Sequence, residues 1–142
     1  MDTTELSTSL RSVVSALHKG LRKQMGSATQ YSMTELETFG LLNRNSSLLP
    51  SELAALTRIK TQSMSQILKK MEENGIILRT PSTDDKRKIF ISLTRLGKKM
   101  VEKTRYDRDE WLKDTIEKSL TKSEKELIAI ALPALKKLAE FK

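Results

Sequence analysis

The sequence predicts a mainly α protein carrying one small β-hairpin, and three observations predict it. Apolar residues recur at helical spacing near both ends of the chain, and a third amphipathic run lies between Thr61 and Asn74. Directly after that run, two short β-prone segments flank a turn-forming stretch. At 142 residues the chain fits one compact domain with helical arms. Its three Phe, two Tyr and one Trp give a single copy few large apolar anchors, so burial between two chains would help.

In the first arm Leu6, Leu10, Val13, Val14, Leu17, Leu21 and Met25 form an apolar stripe, and Gly26-Ser27 ends it. Such a stripe has two homes, the chain's own core or a partner chain. His18 lies beside Leu17 and Leu21; with no clustered Cys, Asp or Glu it reads as a packed or surface residue rather than a metal ligand. Ser32-Met33-Thr34-Glu35 has the form of a capping box, and Met33, Leu36, Phe39 and Leu42, with Gly40, give the following helix an inner face. Asn43 to Ser47 reads as a turn. Pro50 suits the first turn of the next helix, whose Leu53, Ala54 and Leu56 turn inward.

From Thr61 to Asn74, Met64, Ile67, Leu68 and Met71 share one face, while Gln62, Ser63, Ser65, Gln66, Lys69 and Lys70 fall largely on the others. Gly75 is a C-terminal stop. Ile76 to Leu78 and Ile89 to Leu93 are the two β-prone runs, and Pro81 to Lys88 between them makes a hairpin with a charged tip. Thr94 is a natural N-cap for a helix running from Arg95 to about Lys118, charged from Glu102 to Glu110 and apolar again at Trp111, Leu112, Ile116 and Leu120. Thr121-Lys122-Ser123-Glu124 is a second capping box, opening a helix with Leu127, Ile128, Ala131, Leu132, Leu135, Leu138 and Phe141 on its apolar side. Pro133 inside it should kink the helix near Ala129, at a cost of about 3 kcal/mol.

Charge is unevenly spread. Arg58 to Lys99 holds 11 basic and 4 acidic residues, so nearly all of the chain's net +8 lies there. The high pI suits a nucleic-acid partner, though a ribosomal or anionic-membrane partner would give the same value. The absence of Cys removes disulfides, thiolate nucleophiles and thiol redox sensing, and fits a reducing cytoplasm. No signal peptide or membrane span is expected, since no run of 18 apolar residues occurs. An enzyme is not expected either: H-E-x-x-H, a Gly-rich phosphate loop and G-x-S-x-G are all absent, and no cofactor is implied. The exposed amides and hydroxyls of the Thr61 helix could read base edges while cations meet phosphates. Taken alone, that polar face reads first as a solvated one, which is what polar helix faces usually are.

The run from Glu52-Leu53-Ala54 through Met71-Glu72-Glu73-Asn74-Gly75-Ile76-Ile77, then Arg79, Asp85-Lys86-Arg87 and Ile91-Ser92-Leu93-Thr94-Arg95-Leu96-Gly97, resembles the winged helix-turn-helix of MarR-family transcriptional regulators. The D-x-R wing followed by L-T-x-x-G is the most distinctive part. Relatives usually place Thr or Ser where this chain has Leu49, and many carry Gly at the position of Arg58.

The resemblance implies a single domain over 1–142, with residues 31–99 as the DNA-binding winged helix-turn-helix and residues 1–30 and 100–142 as helical dimerisation arms. It implies a homodimeric regulator, a repressor on a near-palindromic operator in double-stranded DNA. Gln62, Ser63 and Gln66 would then reach base edges, and Thr61, Lys69 and Lys70 phosphates, with Ser65 in either group or packed inward. Arg87 would enter the minor groove, Asp85 would hold it in place or serve as a plain turn former, and Lys86 and Lys88 would meet the backbone. Family members often respond to a small anionic or aromatic effector between arms and reading head; the corresponding region here is His18, Arg22 and Met25 with Tyr31 and Phe39, residues of a kind that are more often plain core. The alternative is a winged-helix module for protein contact alone, which predicts an apolar wing face instead of Lys86-Arg87-Lys88.

Overall fold

The computed structural model describes residues 1–26 and 30–142. Helix α1 (Thr3–Lys23) opens on a reciprocal cap in which the Glu5 amide donates to Asp2 and the Asp2 amide donates to the Glu5 carboxylate. Gly26 takes a left-handed φ of 59°, in keeping with a stop; Ser27, the other half of that expected stop, lies outside the described residues. Of the first arm's apolar stripe only Met25, just past the helix, enters the chain's own core. None of the residues of α1 itself is buried, and Leu6, Val13, Val14 and Leu17 are about half exposed.

The core forms instead where α2 (Met33–Arg44), α3 (Pro50–Thr57) and α4 (Thr61–Glu73) meet a two-stranded antiparallel sheet of β1 (Ile77–Pro81) and β2 (Ile89–Leu93). Phe39, Leu53, Met64, Leu68, Met71 and Ile91 are fully buried there, each contributing about 1.5–3 kcal/mol of apolar burial. Two expected inner faces are rotated. In α2 the buried side chains are Glu35, Thr38, Phe39 and Leu42, with Met33 half exposed. In α3, Leu53 and Ala54 are buried but Leu56 faces solvent.

Ser32 caps α2 by accepting from the Glu35 amide, but only that half of the capping box forms, since the Glu35 carboxylate turns inward to Lys70. The cap missing at Leu49 is supplied from the other side, where the Glu52 carboxylate accepts from the Leu49 amide. Arg58 ends α3 in the left-handed region, φ 59° and ψ 39°, the conformation that glycine adopts at no steric cost.

β1 runs further than its apolar residues, through Arg79 and Thr80 to Pro81, which faces Ile89 in the register. Pro81 has no N–H to give and is tolerated at the end of an edge strand. A third extended piece, Leu48, exchanges two backbone hydrogen bonds with Ile91 at 3.0 and 2.8 Å. At the base of the hairpin Thr94 donates to the Gly75 carbonyl and accepts from the Gly97 amide, tying the end of α4 to the start of α5 (Arg95–Ser119).

Further along α5, Trp111 lies over Gly20 of α1; a β-carbon there would come within 2.6 Å of the indole ring. The two helices cross closely because Gly20 is bare. Helix α6 (Lys122–Glu140) opens on the expected capping box, Thr121 with Glu124, which holds the Glu124 carboxyl below its ordinary range through the Thr121 backbone and side-chain hydrogen bonds. It continues as one helix past Pro133, and none of its residues is buried.

Candidate nucleic-acid interface

The reading surface is built on α4. Its apolar face is fixed in the core by Met64, Leu68 and Met71, which leaves Thr61, Gln62, Ser63, Ser65, Gln66, Lys69 and Lys70 exposed. The helix begins at Lys60 with no side-chain cap, so its first amides keep their affinity for an anion. Gln62, Gln66 and Lys69 follow one another along the side opposite the core. Ser65 donates its hydroxyl to the Thr61 carbonyl at 3.1 Å, which settles its proton inside the helix and leaves only its lone pairs outward.

Lys70 differs from the others: its ammonium is engaged internally, with the Glu35 carboxylate and the Tyr31 ring. A second ion pair, Arg79 to Glu72 at 3.2 Å, joins β1 to the last turn of α4. Sequence spacing missed both, because each pair joins two different elements and so leaves no periodic signal.

The wing tip is a small hydrogen-bonded loop. Ser82 receives the Asp84 and Asp85 amides on its hydroxyl, its own amide donates to the Lys88 carbonyl, and the Lys88 amide donates to the Asp85 carbonyl. Asp85 sits at the centre and serves both expected roles at once, turn former and arginine holder. Its carboxylate accepts the Arg87 amide at 3.0 Å and the Arg87 guanidinium at 3.1 and 3.2 Å, a fork against a fork. The Arg87 side chain, followed by the Arg87 backbone N–H, holds the Asp85 carboxyl below its ordinary value of 3.8. Arg87 itself is 91% exposed, and Lys86 and Lys88 beside it are exposed too. The tip therefore presents three cations, one of them oriented by a carboxylate.

The five residues of the expected effector region part company. Met25, Tyr31 and Phe39 are buried, and Tyr31 meets Phe39 edge to face at 4.9 Å. Arg22 is committed to the Tyr31 carbonyl at 2.7 Å, and His18 is exposed. Phe39 lines a cleft of about 390 Å³ between α2 and α5, whereas Tyr31 lines a separate one of about 360 Å³ beside Leu96 and Met100. The first cleft has apolar walls from Leu36, Phe39 and Val101, and three arginines, Arg44, Arg105 and Arg108, line it with one acid, Glu37. Among the described residues no cluster of His, Cys, Asp or Glu could hold a metal ion, and no helix is long and apolar enough to cross a membrane.

Residues 31–89 match the model of the MarR family, a span that takes in α2, α3, α4, β1 and the wing tip up to the first residue of β2. The HTH-type transcriptional regulator FarR of Neisseria gonorrhoeae is 30% identical over 100 residues, 70% of this chain and 68% of that one. A Pseudomonas aeruginosa PA01 protein described as a transcriptional regulator shares the fold with a TM-score of 0.85 and 32% identity, over 98% of this chain and 97% of the other. The fold is also that of Streptococcus pneumoniae FabT, solved in complex with DNA, at a TM-score of 0.77 and 19% identity over 98% of each chain.

Proposed function

This chain belongs to the MarR family of transcriptional regulators, and we propose that it works as a homodimeric repressor reading a near-palindromic operator in the cytoplasm. It is a regulator and not an enzyme. The observation that carries the DNA-binding reading is the pairing of an exposed amide, hydroxyl and lysine face on α4 with a wing arginine oriented by Asp85. Both belong to the part of the chain that holds the excess positive charge. The DNA complex of FabT, which has the same fold, supports this reading.

Gln62, Ser63 and Gln66 contact base edges in the major groove, and Thr61 and Lys69 contact phosphates. Arg87 enters the minor groove, where narrow A·T-rich stretches attract a cation most strongly, with Lys86 and Lys88 on the flanking backbone. Residues 31–99 are the reading head; residues 1–30 and 100–142 are the dimerising arms, whose apolar stripes are exposed in one copy. A protein-contact module is disfavoured by a wing tip of three exposed cations.

The test is selection of bound duplexes from a random pool, with wild type and Arg87→Ala side by side. The wild type should enrich a near-palindrome with half-site centres about 34 Å apart, one turn of duplex. Arg87→Ala should lose affinity and the A·T preference beside the core. No enrichment at low salt would overturn the reading.

A cleft with apolar walls and three arginines against one acid favours one addition: a small anionic ligand with an apolar body binds between α2 and α5 and alters DNA affinity. This moves the expected effector region, keeping only Phe39 of the original five. By linkage such a ligand must bind less tightly once operator is present, by the same factor by which it weakens DNA binding.

A further inference from the structure

We propose that Glu35 is a positioning residue for the reading helix, engaging Lys70 as an internal counterion so that this lysine seats α4 on α2 instead of meeting a phosphate. The inference rests on the DNA-binding reading above. Glu35 lies in α2 with its side chain 11% exposed. Its Oε1 accepts from Lys70 Nζ at 3.3 Å, and its Oε2 lies 3.2 Å from the same nitrogen with no hydrogen-bond donor of its own among the described residues. The ammonium also stands over the Tyr31 ring, 5.3 Å from its centroid. That ring is itself held edge-on by Phe39, and its hydroxyl accepts from the Asn74 amide at 3.3 Å. One cation on α4 thus joins three pieces of chain: α2, the segment before it and, through Asn74, the end of α4.

Exposure alone would let Lys70 leave, since its side chain is 46% exposed. The cost of leaving falls on its partner. A nearly buried carboxylate deprived of the one cation it pairs with among the described residues loses far more than an exposed ion pair ever contributes. A phosphate contact at the groove edge is an exposed pair, screened by salt and balanced by counterion release. The internal partner therefore wins, and Lys70 stays with Glu35 when DNA binds. Lys69, the next residue back, is exposed and has no acidic partner among the described residues, so it serves as the control.

The experiment measures duplex affinity against salt, together with Tm, for wild type, Lys69→Met, Lys70→Met and the double variant Glu35→Leu/Lys70→Met. Lys69→Met should flatten the log–log salt slope by about 0.9 for each phosphate it leaves without a cation, with Tm nearly unchanged. Lys70→Met should keep the wild-type slope while Tm falls by on the order of 10 °C. The double variant, which buries no charge, should regain most of that loss. Lys70→Met matching Lys69→Met in slope, with Tm intact, would make Lys70 a phosphate ligand and sink the proposal. So would a double variant no more stable than Lys70→Met alone. If the wild type binds no duplex, the DNA reading fails separately, and the Tm comparison still decides whether Glu35 and Lys70 seat α4.

Discussion

At Gly97 the chain has no room for one methyl group. A β-carbon placed there would fall on the backbone carbonyl oxygen of Ile76, with the side chains of Ile76 and Leu93 at 3.1 Å behind it. Neither can yield cheaply, because Thr94 ties the same carbonyl to the start of α5. Gly97→Ala should therefore lower unfolding free energy by about 2–3 kcal/mol, read as a lower urea midpoint at unchanged m-value. The sequence marked Gly97 through a motif, but the reason lies in a close approach across 21 positions of chain, which no local pattern reveals. Glu35 makes the same point from the other side. Its place in a capping box was legible, yet the box half-forms because a cation on another helix competes for the carboxylate. Arg58 shows a third case, in which the left-handed turn that glycine would favour is kept by a residue that bears a steric cost there.

Among the elements, the helices were the most legible, because buried residues such as Met64, Leu68 and Met71 recur at the period of the helix itself. The wing was less so. Pro81 reads as turn and Arg79 and Thr80 lie beyond the β-prone run, yet all three are extended, paired with Ile89, Ile91 and Phe90 opposite. Its tip makes a prediction in which charge and orientation separate. Asp85→Asn leaves the Arg87 charge in place but removes the carboxylate that aims it, so duplex affinity should fall a few-fold while the salt slope stays at the wild-type value. Because Arg87 holds the Asp85 carboxyl below its ordinary 3.8, the clamp is complete at neutral pH and opens only as pH falls through that lowered value. The ratio of the two proteins' affinities should thus be flat between about pH 6 and 8. A ratio that varies across that window would mean that some other group sets the wing.

For the whole molecule the unfinished surface is that of the arms. Ile130 is 76% exposed, and Leu127 and Leu138 along the same helix and Phe141 just past its end are more than half exposed, a concentration of apolar side chains that a second copy would cover. Ile130→Glu should shift sedimentation from dimer to monomer and weaken operator binding at least tenfold, with helical content unchanged. In a chain that works alone the same change would do almost nothing, since an exposed side chain has little packing to lose. The arms' stripes could be read from the sequence, but which chain buries them could not, because periodicity reports a face and not its partner. The two hydrogen bonds between Leu48 and Ile91 bear on how such a dimer moves. They stitch the inner wing strand to the linker ahead of α3, so the base of the wing is tied both to that linker and, through β1, to the end of α4. In the proposed dimer a shift of the linker ahead of α3 would therefore be passed to the base of the wing, and the angle between reading head and arms is the coordinate on which the proposed ligand would act.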